Sequence, residues 1–294
     1  MNLSEFIQNQ APILLDGAMG TELDRAGLEM GGQNCVSHPE TVRPIHQAYA
    51  STGCDILTTN TLTMNRIYLE THGLHVDIRE VNLAGAQLAR SVLNSDHQFV
   101  LGDISSTGQF LQPYGDYSED QLIDTFKEQA EALLAGGVDG FIVETMLDLR
   151  EALCAVRACR EVSSLPVLAT LSFQNTLNGG MTTMGNAAGE SALKLAEAGA
   201  MAVGANCGSL DPQETALVMA AMREVVTIPL IAQPNAGKPR LMEGRTIFDM
   251  TPESFKTGML ECLNAGATLI GGCCGTSPEH IRCVAEMLGK TILR

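Results

Sequence analysis

The chain has no tryptophan and only four tyrosines among its 294 residues. A quaternary ammonium ligand wants a cage of aromatic faces, and this composition offers little to build one. Basic residues are few as well. Lys and Arg number 18 against 34 Asp and Glu, a formal net charge of −16. So acidic a surface repels nucleic acid and anionic lipid, and neither is an expected partner. No apolar run is long enough to span a bilayer. The opening residues, Met1-Asn2-Leu3-Ser4-Glu5, show neither the basic region nor the apolar core of a secretory signal. The cytoplasm is the expected compartment. Nine cysteines there read as thiols and metal ligands rather than disulfides. Cys54, Cys154, Cys159, Cys262 and Cys283 lie in helix-like or strand-flanking stretches, where free cysteine acts as a small hydrophobe. Cys35 falls in an expected loop and is given no role.

What the chain does have is alternation. Apolar runs of strand length occur at 13–15, 55–59, 99–103, 140–144, 166–172, 202–206, 229–233 and 268–272. Between them lie longer stretches with helical spacing, such as 118–135 and 190–198. Gly53, Gly137, Gly199 and Gly266 each precede a strand, where a helix-to-strand turn often needs a left-handed residue. Strand starts are roughly 26 to 44 residues apart, room for one crossover helix each time. Eight such units predict a single (β/α)8 barrel over residues 1–294. A doubly wound open sheet would more usually carry six strands. The stretches 27–41, 109–117, 175–189 and 235–251 are expected loops. They follow strands 1, 3, 5 and 7, so a barrel would open them on one face.

Each strand ends in polar or reactive residues: Asp16, Thr59-Asn60, Asp103, Glu144, Ser172, Asn206-Cys207, Gln233 with Asn235, and Cys273-Cys274. In a barrel these ends surround one mouth, where barrel enzymes keep their sites. Taken alone, Asp103 or Ser172 reads equally well as a helix N-cap. Cys207 ends strand 6 and Cys273 ends strand 8. Alternate strands contribute to one interior layer, so both can aim at a common point. The glycines around Gly271-Gly272-Cys273-Cys274-Gly275-Thr276 let two consecutive cysteines face one ion. Three thiolates with one position open is the pattern of a catalytic zinc. A glycine-rich phosphate loop is the competing reading, but it has no use for paired thiols. At such an ion an incoming thiol loses its proton near neutral pH and can attack a methyl group. The turn Asp16-Gly17-Ala18-Met19-Gly20 can offer backbone N–H groups to a carboxylate. Asp16 and Glu144 suit an α-ammonium. An amino acid with a thiol tail satisfies all three features.

With these motifs in view, the chain resembles the homocysteine S-methyltransferase family. The resemblance runs from Leu15–Glu22 through Thr59-Asn60-Thr61, Glu144-Thr145, Asn206-Cys207 and Pro234-Asn235-Ala236-Gly237 to the Gly271–Thr276 run. That last run is highly specific; the others support it. The resemblance implies zinc on Cys207, Cys273 and Cys274, and L-homocysteine as methyl acceptor with L-methionine as product. It places the acceptor at Asp16, Gly17, Thr59 and Glu144, and Ala18, Asn60, Asn206 and Asn235 are further expected contacts. Thr145 follows Glu144 where an aromatic would suit betaine-using members. The Pro234–Gly237 run, followed by Lys238-Pro239, is most similar to the homocysteine module of cobalamin-dependent methionine synthase. The folate, cobalamin and reactivation modules of that enzyme are absent, so the expected methyl source is methylcobalamin on a separate corrinoid protein. S-methylmethionine or S-adenosylmethionine is the alternative donor. A zinc- or corrinoid-handling accessory protein is the non-enzyme alternative; it would keep the thiols but need no amino-acid handles. Selenohomocysteine would present the same handles as homocysteine.

Other signals are weaker. His72 and His75 are separated by Gly73, which weakens any helix aiming both at a metal. Ser118 sits where a helix cap is expected, and His280, at an expected helix start, reads as a surface or capping residue. Met19 and Met146 suit either a methyl pocket or ordinary packing.

Overall fold

The computed structural model describes residues 1–292 except 96 and 243. Eight parallel strands form one sheet. They are Ile13–Leu14 (β1), Ile56–Thr58 (β2), Phe99–Ile104 (β3), Gly140–Met146 (β4), Val167–Leu171 (β5), Ala202–Asn206 (β6), Leu230–Gln233 (β7) and Leu269–Ile270 (β8). Neighbours pair in chain order, and β8 pairs with β1 through Ile13↔Leu269. The remaining gap is closed by a bridge between Leu15 and Ile56. Asp55 N–H donates to the Leu14 carbonyl at 2.7 Å, and Asp16 N–H to the Ile56 carbonyl at 3.0 Å. The sheet is therefore a (β/α)8 barrel, as expected. Every expected strand is present within two residues at each end.

Strand alternation splits the apolar residues into two layers. Ile13, Leu15, Ile56, Phe99, Leu101, Ile142, Leu168, Ile231 and Leu269 pack inside the barrel. Leu14, Leu57, Val100, Phe141, Val143, Val203 and Ile270 face the helices. The outer ring is Pro39–Ala50 (α1), Ile78–Arg90 (α2), Glu119–Ala135 (α3), Leu149–Val162 (α4), Ala188–Glu197 (α5), Pro212–Arg223 (α6), Pro252–Asn264 (α7) and Pro278–Met287 (α8). Ser118 and Asp211 start α3 and α6 with reciprocal capping boxes. Pro39, Pro212, Pro252 and Pro278 sit in first turns, where the missing N–H costs nothing. Gly53, Gly137, Gly199 and Gly266 all have positive φ.

Several elements differ from expectation. A helix over Leu3–Asn9 closes the end of the barrel where the strands begin. Its Leu3, Phe6 and Ile7 join the interior cluster, and the Phe6 and Phe99 rings lie 5.1 Å apart. The stretch 27–41 contains a helical turn, Asn34–Ser37, and the start of α1. The Asn34 amide ties that turn to the Glu29 and Gly31 carbonyls, a local bond that leaves no periodic trace in the sequence. The two later loops carry short hairpins, Phe173–Asn175 with Met181–Thr182 and Arg240–Met242 with Arg245–Ile247. Among the described residues no helix is long and apolar enough to cross a membrane.

Candidate active site

The strand ends converge as a barrel requires. A cavity of about 310 Å³ opens at the carboxyl face, lined in part by Asp16, Thr58, Asp103, Glu144, Gln233, Cys207, Cys273 and Cys274. Gly17, Ala18, Thr59 and Asn60 also line it.

The three thiols come from two strands. Cys207 follows β6 with φ +54°, a left-handed conformation costly for a residue with a Cβ. Gly208 continues that turn at φ +72°. A Cβ on Gly208 would lie 2.5 Å from the Phe173 carbonyl oxygen, so only glycine fits. Cys273 and Cys274 follow β8. Their loop folds around Thr276, whose hydroxyl donates to the Cys273 carbonyl at 2.7 Å and accepts from Ala18 N–H at 3.0 Å. Gly272 leaves the space that Thr276 occupies: a Cβ there would meet its side chain at 2.6 Å.

The three Sγ atoms lie within 4.8 Å of one another, and Cys207 and Cys274 are 3.8 Å apart. Two sulfurs about 2.3 Å from a tetrahedral ion stand about 3.8 Å apart, so the donor set fits such an ion. The thiols perturb one another's acidity. Hydrogen bonds from Cys207 and Cys273 pull Cys274 down toward thiolate. The same contacts, with burial, hold Cys273 well above the ordinary thiol range.

Three carboxyl groups face the cavity. Asp16 Oδ2 accepts from Thr58 N–H at 2.8 Å, and Oδ1 from the Thr58 hydroxyl at 3.0 Å. Burial nevertheless pushes Asp16 up to about 7. Glu144 is pushed up to about 8 by burial and then by the charges of Cys207 and Asp16. Asp103 is held well above the usual range, by burial and then by Glu144 and Asp16. An enclosure that resists three negative charges favours a ligand bringing a positive one.

Asn206 and Asn235 take supporting places; neither belongs to the cavity lining. Asn206 Oδ1 accepts from Thr145 N–H at 2.8 Å and the Thr170 hydroxyl at 2.7 Å. Its amide reaches the Thr145 hydroxyl at 2.7 Å and Glu144 Oε2 at 3.4 Å. It thereby fixes the strained Thr145, at φ +58°, and the carboxyl beside it. Asn235 donates to the Gly208 carbonyl at 2.9 Å, and Ala236 N–H donates to the Cys274 carbonyl at 2.9 Å. The loop after β7 thus straps both cysteine turns. Ser172 is no helix cap, since its hydroxyl donates to the Asn206 carbonyl at 2.9 Å. Ser277 is the N-cap of α8, and the buried His280 completes its capping box: Nδ1 faces Ser277, and Nε2 faces the Met250 carbonyl at 2.9 Å. Met19 lines the cavity, whereas Met146 is core. His72 stacks on Tyr68, with ring centroids 3.8 Å apart. Asp103 and Gln233, expected at the mouth as strand-end residues but not among the expected acceptor contacts, line the cavity, as does Tyr68, which was not expected there. The strand-end position of the first two was the signal; Tyr68 left none.

Residues 13–288 match the homocysteine S-methyltransferase family. The chain is 31% identical over 306 residues to betaine–homocysteine S-methyltransferase 1 of Xenopus tropicalis, covering 94% of this chain and 72% of that protein. It is 29% identical over 295 residues to methionine synthase of Mycobacterium leprae, covering 94% of this chain and 24% of that protein. It therefore spans about a quarter of the methionine synthases it matches. The metallated form of the homocysteine methyltransferase MmuM from Escherichia coli shares the fold, with a TM-score of 0.77 at 22% identity over 96% of this chain and 98% of that one.

Proposed function

Because the chain belongs to the homocysteine S-methyltransferase family, we propose that it transfers a methyl group to the thiol of L-homocysteine, giving L-methionine, with zinc on Cys207, Cys273 and Cys274. The observation that carries this reading is the three-sulfur cluster at the wall of a cavity that also holds carboxyl groups. Zinc on three thiolates would keep a fourth, incoming thiol deprotonated near neutral pH and still nucleophilic.

The chain's own residues orient the acceptor. Asp16 and Glu144 supply countercharge for its α-ammonium. Gly17, Met19 and Gly20 line the cavity, and their N–H groups have no acceptor among the described residues, which leaves them for the α-carboxylate. The substrate sulfur then faces the cysteines. The new S–CH3 bond forms as the donor's bond to that methyl breaks, and the donor keeps the electron pair.

The favoured donor is a methylcorrinoid carried by a partner protein. Exposed apolar side chains occur in the segments that follow the barrel strands: Phe110, Tyr114, Leu147, Leu177 and Met184, with Leu241 in the hairpin after β7. Leu241 is 78% exposed and Tyr114 83%. Exposed apolar surface of this kind suits a docked protein better than a small molecule. The match to methionine synthases supports the same donor. S-methylmethionine or S-adenosylmethionine is the second reading, favoured by the carboxyl groups, which suit a sulfonium cation. The cytoplasm is the proposed compartment.

Methionine formation by zinc-loaded protein tests the reading, with S-methylmethionine and methylcobalamin offered in parallel. Turnover with methylcobalamin alone supports the corrinoid partner. Turnover with S-methylmethionine alone selects the sulfonium. No turnover with either, together with no homocysteine binding, overturns the function.

A further inference from the structure

Asp103 is the penultimate residue of β3 and is 4% exposed. Its backbone is fully engaged. The N–H donates to Thr59 Oγ1 at 2.9 Å, and the carbonyl accepts from Thr61 Oγ1 at 2.8 Å and Gln129 Nε2 at 3.3 Å. The side chain is not. It lines the cavity, yet no donor among the described residues reaches Oδ1. Asp16 differs, because Thr58 occupies both of its oxygens. Glu144 receives only the long contact from Asn206. Gln233, four strands around the barrel on β7, also presents a buried Oε1 without a partner.

A buried acceptor left unpaired costs about 1–3 kcal/mol, and more when charged. Two such acceptors at one cavity ask for a ligand that brings several donors. A primary ammonium carries three. A sulfonium carries charge but no N–H, and a carboxylate brings only acceptors. We propose that Asp103 is a specificity-determining residue of the acceptor site, accepting a hydrogen bond from the α-ammonium of the amino-acid substrate. This deepens the function proposed above and rests on it. The direct partner of the ammonium is then Asp103 on β3, with Glu144 beside it. Asp16, committed to Thr58, supplies charge and holds the turn that follows β1. Burial of the Asp103 carboxyl agrees with this, since an arriving cation favours its ionised form.

The test compares two thiols on zinc-loaded protein by calorimetric titration: L-homocysteine, and 4-mercaptobutyrate, which keeps the thiol and carboxylate but lacks the amine. Wild type binds homocysteine more tightly. Asp103→Asn loses about 10- to 100-fold in affinity for homocysteine, the scale of a hydrogen bond to a charged group, and nearly nothing for 4-mercaptobutyrate. Zinc content, measured on the same samples, reports an intact site. Should the amide disturb the strand end and cost the zinc, Asp103→Ser replaces it, and the same affinity ratio is read. A variant that keeps the wild-type preference, or loses both ligands in equal proportion, overturns the role of Asp103. Wild type that binds neither thiol, or both alike, instead overturns the amino-acid reading of the site.

Discussion

Cys207 spends backbone energy to reach its neighbours. A left-handed residue with a Cβ costs about 1–2 kcal/mol, and the turn at φ +54° is kept because it aims Sγ at Cys273 and Cys274. If the cluster holds zinc, Cys207→Ser, Cys273→Ser and Cys274→Ser each purify with well under one zinc per chain by elemental analysis. Cys283→Ser retains the full amount, because that thiol faces Glu253 and lies outside the cluster. Wild-type zinc content in any of the first three would remove that cysteine from the ligand set. His46 makes a separate prediction. It is wholly buried in α1, neither ring nitrogen has a partner among the described residues, and burial lowers it to about 4. The unfolded chain binds this proton near the ordinary value of about 6.5, so stability falls as pH drops from there toward 4. The loss from this one group reaches about 3 kcal/mol. His46→Leu should flatten that part of the acid limb in urea melts at pH 7, 6 and 5. An unchanged limb would place the acid sensitivity elsewhere.

At the scale of elements, the turn after β6 and the loop after β7 carry the site together. Gly208→Ala would combine a left-handed φ of +72° with a Cβ 2.5 Å from a backbone oxygen. The expected cost is about 2 kcal/mol or more in thermal unfolding, with weaker metal retention. Alanine tolerated at full stability would mean the turn relaxes freely. The hairpin Arg240–Met242 with Arg245–Ile247 tests the donor: Leu241→Asp should slow transfer from a corrinoid protein but leave homocysteine affinity unchanged. Equal rates would remove the hairpin from any docking surface. The sequence made the strands legible because each is a short apolar run with a polar end. It made the cysteines legible because paired thiols between glycines suit little but a metal. The hairpins and the Asn34–Ser37 turn were illegible, since side-chain bonds and strand-to-strand contacts build them rather than periodicity. The bonds of Asn206 and Asn235 to Thr145, Thr170 and the Gly208 carbonyl could not be read from the sequence, because they join segments far apart along the chain. In the sequence Asp103 reads equally as site or cap, because a carboxyl near a strand end looks the same for both. Only its missing partner separates them.

Across the whole molecule, a metal held by the three cysteines would add a cross-link to a barrel already closed by its own backbone. The barrel closes through Leu15 and Ile56, and Asp55 reinforces the seam by accepting from Leu14 N–H at 2.8 Å and from Lys290 Nζ at 2.6 Å. That ties the end of the chain to its first strand. The cysteine turns lie at the opposite end and belong to β6 and β8, which are separated by β7. A zinc ion shared by them would join strands that do not touch, and the strap through Asn235 and Ala236 already links the same turns. Such an ion binds only the folded arrangement, so it stabilises the fold as a whole. At free zinc about 100 times Kd the gain is about 2.7 kcal/mol. For a chain of this size that raises Tm by about 5 °C. Calorimetry of zinc-loaded and chelator-treated protein should show one transition in each, displaced by that amount. Cys274→Ser should melt at the chelator-treated temperature whether or not zinc is present. If zinc instead moved Tm equally in wild type and the variant, the stabilising ion would sit away from the three cysteines, and the bridge between β6 and β8 would be lost as an explanation.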